Sequence, residues 1–330
     1  MKTKQLTACA LAALSVAIIG CSKENHPAGA PSVNPVRAII DQNRSTANQT
    51  YVIDAAQGGA VFGARGTIIT IQPNAFRTNS GGMVSGPVTV ELLEALAPAD
   101  MVWLNMQTVA LYGNNKRMLQ SGGEMRVRAE AGGEQVTVAP GAAVIHVPVA
   151  DIDPLMQRFV GEEDNDGDIL WRADGELDAD TGGFAIPDSM GGQGWIQGNF
   201  YSAPWPPNDY NTTWPDYGYI NCDHPLPPGG DSTDVTITVP QGFAGWTGCT
   251  VWIVLPDMNC MVYMEAYNGN NISAGFPLRV GLQGTIVAFS DQNGTSYSSF
   301  TPITIVQGHQ QTITLQPTTL SQYEQDLQGL

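Results

Sequence analysis

Gly66-Thr67-Ile68-Ile69-Thr70-Ile71 and Gly86-Pro87-Val88-Thr89-Val90-Glu91-Leu92 decide the fold class. In both, β-branched residues follow a glycine-containing turn and alternate with polar ones, which turns one strand face into a core and the other to water. The same pattern returns at Arg126-Val127-Arg128-Ala129, Gln135-Val136-Thr137-Val138 and Val144-Ile145-His146-Val147. It appears again at Val235–Val239, Val251–Leu255, Met261–Glu265, Thr285–Phe289, Ile303–Val306 and Thr312–Leu315. Pro256-Asp257-Met258-Asn259 lies between two apolar runs and predicts a hairpin turn. The chain closes on Ser321-Gln322-Tyr323-Glu324, a capping-box pattern, with Tyr323, Leu327 and Leu330 at helical spacing. The expected fold is all-β: two antiparallel β-sandwiches at 50–150 and 226–318, a connecting segment at 151–225 and a C-terminal helix at 319–330. The connecting segment is too long for a bare loop and is expected to add strands such as Ile169–Trp171 and Gly194–Ile196.

Composition agrees. The 330 residues include 37 Gly and 22 Pro and only 14% charged residues, while 42% are hydrophobic, enough to build cores. Acidic residues outnumber basic ones 31 to 14, for a formal charge of −17. Such a surface is repelled by phosphate backbones and anionic headgroups, which argues against nucleic acid as a partner and against electrostatic membrane docking. The charge is uneven: residues 173–330 carry 15 acidic side chains against the single base Arg279.

The N-terminus addresses the chain to a membrane by other means. Lys2 and Lys4 precede an apolar run from Leu6 to Ile19, too short to span a bilayer, and the run ends in Gly20-Cys21-Ser22-Lys23. Ile18-Ile19-Gly20-Cys21 resembles the lipobox of bacterial lipoproteins, in which cleavage leaves a lipidated cysteine as the first residue. The resemblance implies residues 1–21 as signal peptide and lipobox and Cys21 as the acyl attachment point. It also implies a covalent lipid on Cys21 and no other cofactor, with the protein anchored to the membrane by acyl chains that it does not supplement with a span. Residues 22–49, rich in Asn, Pro, Ala and Ser around the apolar cluster Val36–Ile40, are expected to be a flexible tether. Ser22 with Lys23-Glu24 is similar to sorting and export signals of Bacteroidota lipoproteins, which implies the outer membrane, facing the periplasm or the cell surface.

A second resemblance covers most of the remaining chain. Gly58-Gly59, Gly66 to Phe76, Gly86 to Leu92 and Ser121-Gly122-Gly123-Glu124-Met125 resemble the β-sandwich module of zonula-occludens proteins and uncoordinated-five netrin receptors, and more closely its relatives in Bacteroidota lipoproteins of unassigned function. Gly194-Trp195-Ile196 and Tyr219-Ile220-Asn221-Cys222-Asp223 are similar to the Trp-Ile-Asn-Cys-Asp segment that follows the module there, and Phe276 to Gly281 fits a C-terminal immunoglobulin- or transthyretin-like sandwich. These are turn and strand residues, so the resemblance implies a fold and leaves the mechanism open. The self-cleaving His-Phe-Ser sequence of some eukaryotic members is absent, the nearest triplet being Ser299-Phe300-Thr301.

Four groups of residues invite chemistry. Cys222-Asp223-His224 offers a thiol and an imidazole for a thiol- or metal-dependent hydrolase, although strand positions i and i+2 stand roughly 6–7 Å apart and hold the two apart. Burial at a domain junction is the competing reading. Beyond Cys9 of the signal and Cys21, the chain holds Cys222, Cys249 and Cys260, and one disulfide pairing Cys222 with Cys249 or Cys260 is expected. Glu162 to Asp168 places Asp164, Asp166 and Asp168 at alternating positions, as calcium loops begin, but the twelfth position is Ala173 where a bidentate Glu belongs; a solvated acidic hairpin fits better. Finally, residues 195–219 concentrate eight of 26 aromatic residues among prolines. Trp205, Tyr210, Trp214 and Tyr217 suit either a strap filling the seam between sandwiches or a surface that stacks on glycans or anchors an envelope protein. The expected function is a non-enzymatic, lipid-anchored interaction or structural module of the cell envelope. A carbohydrate-binding surface lipoprotein is the alternative, and the hydrolase a third.

Overall fold

The alternating runs build two layers around one core. In the computed structural model, which describes residues 34–330 apart from 114, 149–154, 164–166, 174–200, 203–208, 214–217, 227–229 and 246–247, the strands Gly59–Phe62, Ile68–Ile71 and Ala143–Pro148 lie side by side. Backbone pairing extends this sheet through Asp209–Thr213 to Tyr201–Ser202. Facing it is an eight-stranded sheet whose path runs Gln49–Asp54, Pro87–Ala95, Asn115–Ala131, Tyr219–Pro225, Gln157–Glu163, Ile169–Ala173 and Val109–Tyr112, with Glu134–Gln135 beside Asn115–Ala131. Val61, Ile69, Ile71, Ile145 and Val147 of one layer meet Val88, Val90, Leu92, Met125, Val127 and Ile220 of the other. The all-β fold class read from these patterns is what the chain adopts.

The second sandwich stacks a five-stranded sheet, ordered Cys260–Tyr263, Thr250–Leu255, Gln283–Gln292, Thr295–Thr304 and Gln316–Thr318, on a four-stranded one formed by Ala266–Asn268, Asn271–Ser273, Thr236–Thr238 and Gln310–Thr312. Ile237, Val251, Ile253, Ile272, Ile286 and Ala288 fill the space between them. Of the run Thr312–Leu315 only Thr312 is in a strand, yet Ile313 and Leu315 still reach that core.

Three features depart from the sequence reading. The first is the tether: Pro35–Ala47 is a helix, α1. Asn34 caps it by accepting from Val36 N at 3.0 Å, and Pro35 occupies the first turn, where its missing N–H costs nothing. Val36, Ile40, Asn43 and Arg44 recur at helical spacing and are buried, so composition misled where cap and periodicity were both present. The second is the boundary near 150. Ile169–Ala173 is a strand as expected, but it and Tyr219–Pro225 are integral strands of the first unit's larger sheet, and residues 33–330 cluster as a single unit. The expected strand Gly194–Ile196 lies outside the described residues.

The seam explains why no boundary appears. The outer face of the second unit's five-stranded sheet, carrying Trp252, Val254, Met261, Tyr263, Val287 and Phe289, packs into the same core as α1, the helix α2 at Pro98–Leu104, and Phe159, Trp171 and Tyr219. The closing helix α3, Leu320–Leu327, docks there through Tyr323, whose ring stacks on Phe289 at 4.3 Å. Its cap is Thr319, accepting from Gln322 N at 3.1 Å, two residues earlier than the Ser321 box predicted. The third departure is a closure. Val109–Tyr112 pairs in parallel with Ile169–Ala173 and antiparallel with the start of Asn115–Ala131, so five strands of the larger sheet join into a ring.

Candidate functional site

Inside that ring the pleat gathers polar groups. Along Tyr219–Pro225, Ile220 and Cys222 point into the first sandwich core, which leaves Tyr219, Asn221 and Asp223 on the opposite face. On Asn115–Ala131, Met125 and Val127 also face the first core, so Glu124 shares the face of Asn221, its cross-strand partner. Strict alternation would put Ser121 on Met125's side. A bulge prevents this: Asn221 pairs with Glu124 but Asp223 pairs with Ser121, so Gly122 and Gly123 oppose Cys222 alone and the parity flips. Gly123 makes the bulge feasible with φ +132°, where a Cβ would lie 2.7 Å from Leu96 Cδ2. Gln157, on the next strand, faces Asp223.

Asn221 is the hub. Its Nδ2 donates to Glu124 Oε1 at 3.0 Å and to Asp223 Oδ2, and its Oδ1 accepts from Ser121 Oγ at 3.1 Å, which in turn accepts from Gly123 N at 3.0 Å. Glu124, Asn221 and Asp223 are 0% exposed. Desolvation pushes both carboxyls well above the ordinary carboxylate range, Glu124 further because Asp223 lies beside it; Ser121 and Asn221 offset part of the rise at Asp223. Tyr112, Phe159, Trp171 and Tyr219 surround the group, with Tyr112–Phe159 and Trp171–Tyr219 ring centroids 6.4 and 6.5 Å apart in edge-on pairs. The second unit closes the approach. Asn259, in the turn at Pro256–Asn259, donates to the carbonyls of Leu96 and Ser121 at 3.1 and 3.0 Å, and Trp252 Nε1 donates to Asn105 Oδ1 at 2.8 Å.

The residues singled out in the sequence sit elsewhere. Cys222, Cys249 and Cys260 are buried free thiols with no disulfide among the described residues, which corrects the expected pairing of Cys222 with Cys249 or Cys260. Cys222 lies in the first core, whereas Cys249 and Cys260 lie in the second, so the sheets between them keep the sulfurs apart. Thr108 Oγ1 donates to Cys260 Sγ at 3.0 Å, and burial pushes the thiols of Cys249 and Cys260 up to about 12. The hydrolase reading loses its nucleophile, because Cys222 is 0% exposed and on the face opposite Asp223. His224 is half-buried and faces Gln120 across the strand pair.

The acidic hairpin is also reassigned. Asp164 and Asp166 lie outside the described residues. Asp168 accepts from Asn105 Nδ2 at 2.8 Å and pairs with Arg37 at 3.4 Å, while Glu163 pairs with Arg44 at 3.0 Å and accepts from Tyr219 Oη at 3.0 Å. These carboxylates hold α1 in place through its arginines and are not converging ligands; among the described residues no three His, Cys, Asp or Glu side chains gather as a metal site. Cys21, Trp205, Trp214 and Tyr217 lie outside the described residues, and of Tyr210 only the backbone is described, paired with Val147. Ser121-Gly122-Gly123-Glu124 and Asn221-Cys222-Asp223 read locally as strand and turn residues, and nothing in either run announces that the two meet. The available signal was the Gly122-Gly123 pair inside an alternating strand and the polar Asn221 and Asp223 on either side of Cys222.

Comparison of the chain with models of known protein families gives no match, and comparison with curated proteins gives none either.

Proposed function

We propose that this is a lipid-anchored protein of the bacterial outer membrane, held through acyl chains on Cys21, whose β-rich body serves as a non-enzymatic interaction or structural module of the cell envelope. The observation that carries the reading is the sequence of segments at the N-terminus, Lys2 and Lys4, then Leu6 to Ile19, then Gly20-Cys21. Helix α1 adds a geometric consequence. With Pro35–Ala47 docked on the body, only residues 22–33 separate the acylated cysteine from it, and twelve residues reach at most about 43 Å when fully extended.

The binding mode is favoured over catalysis because the buried carboxyl pair is sealed: Glu124 and Asp223, joined by Asn221, are inaccessible to a substrate as the ring stands. Membranes carrying the acylated protein, solubilised gently and captured through a C-terminal tag, should retain a stoichiometric envelope partner that survives washing. The reading fails if the captured protein is alone after crosslinking in cells and instead retains a glycan on an array. Loss of that glycan in Trp205→Ala or Trp214→Ala would then assign the role to the aromatic stretch.

A further inference from the structure

Three buried oxygen acceptors inside the ring have no hydrogen-bond partner: Glu124 Oε2, Asp223 Oδ1 and Gln157 Oε1; the indole N–H of Trp171, which favours ionised Glu124, donates to the Gln107 carbonyl. They belong to three adjacent strands. The register sets Gln157 opposite Asp223, Asp223 opposite Ser121, and Asn221 opposite Glu124, on one face. Side chains directly opposite one another start from Cβ atoms about 4.5–5.5 Å apart, and one amide nitrogen, Asn221 Nδ2, bonds both carboxyls at once. Gln157 is 5% exposed and the two acids 0%. Among the described ion pairs none reaches Glu124 or Asp223, and the guanidinium that enters the electrostatics of Glu124, that of Arg44, is committed to Glu163 and to the carbonyls of Leu104, Asn105 and Gly167.

Two carboxyls enclosed in an aromatic-lined space without a basic partner are compatible with folding in two states, as acids or as ligands of a cation. The unpartnered amide oxygen of Gln157 discriminates. Protons on the carboxyls would give it no bond unless they pointed at it, whereas a cation between the strands would use all three oxygens together. We infer that Glu124, Asp223 and Gln157 bind one divalent cation of the oxygen-preferring class, calcium, inside the ring. Two carboxylates balance its charge. Both can ligate through one or two oxygens, Gln157 adds a neutral carbonyl, and calcium accepts such irregular sets of six to eight oxygens, whereas magnesium demands near-ideal geometry and retains several waters. No imidazole joins the group, and the thiol of Cys260 is engaged by Thr108, so zinc is disfavoured.

The test uses the full body purified with its native metal content, followed by elemental analysis and thermal melts at pH 8 in EDTA and in millimolar calcium chloride. The expected results are close to one calcium per chain and a melting temperature lowered in EDTA and restored by calcium. Saturation at 100–1,000 times the dissociation constant corresponds to roughly 4–7 °C for a body of this size. Glu124→Gln and Asp223→Asn, which keep shape and remove a charge, should fold and lose both the metal and the response. Gln157→Ala keeps both charges and should weaken binding without abolishing it. Stoichiometric metal absent, with melting unchanged by EDTA or calcium, overturns the site and leaves the carboxyls as an acid pair. Calcium retained by both charge-removing variants overturns its location.

Discussion

With calcium withheld, Glu124 and Asp223 must fold as acids, and that makes stability depend on pH in an unusual direction. Their folded pKa values are raised above the ordinary 4.5 and 3.8 by burial and, for Glu124, by Asp223. Below those ordinary values both states hold the protons and the full stability is present. Above them the unfolded chain releases protons that the folded chain keeps, so stability falls as pH rises toward the folded values. Each retained proton contributes a slope of about −1.4 kcal/mol per pH unit, so the two together approach −2.7 kcal/mol per unit where both remain bound. Glu124→Gln removes one of them while preserving the bond from Asn221 in a rotamer that presents its carbonyl. Above pH 5, and for as long as folded Glu124 keeps its proton, metal-free wild type should lose about 1.4 kcal/mol per pH unit more than the variant. Urea titrations in EDTA at half-unit steps measure this. Parallel pH profiles for the two proteins would refute the placement of Glu124 as a buried acid.

Three other outcomes follow from the same packing. Gly123→Ala places a Cβ against Leu96 at φ +132° and should cost about 1–3 kcal/mol in a denaturant midpoint; a neutral effect would mean the bulge is not held there. Arg44→Ala strips Glu163 and three backbone carbonyls of a donor and should destabilise by about 3–5 kcal/mol, with protease cleavage appearing first in α1. Cys222, Cys249 and Cys260 should stay unreactive to a thiol reagent in the native protein and all react in guanidinium, and rapid native labelling at Cys222 would contradict its burial.

What the sequence disclosed was local. Alternation at Thr67–Ile71 and Val88–Leu92 specified strands with one buried face, and Tyr323 and Leu327 specified the docked side of α3, because each signal sits within one or two turns of chain. Helix α1 was also legible, since Asn34-Pro35 is a start signal and Val36, Ile40 and Arg44 follow at helical spacing; tether-like composition outweighed it. The ring was not legible. It depends on Tyr219–Pro225 inserting between strands that begin at 115 and 157, and on parallel pairing of Trp171 with Ala110, contacts whose sequence separation no local pattern reports. The polar cluster depended in turn on a two-glycine bulge that moves Ser121 across the sheet. Carboxylates so enclosed look, in sequence, like solvated ones.

The proposed lipid anchor is tested most directly at Cys21. Mass spectrometry of the N-terminal peptide from membrane-purified protein should find Cys21 as the first residue, bearing a thioether-linked diacylglycerol, with the species lost and the protein released from membranes in Cys21→Ala. An N-terminus at any other residue with an unmodified Cys21, or an unchanged membrane fraction for the variant, would contradict it.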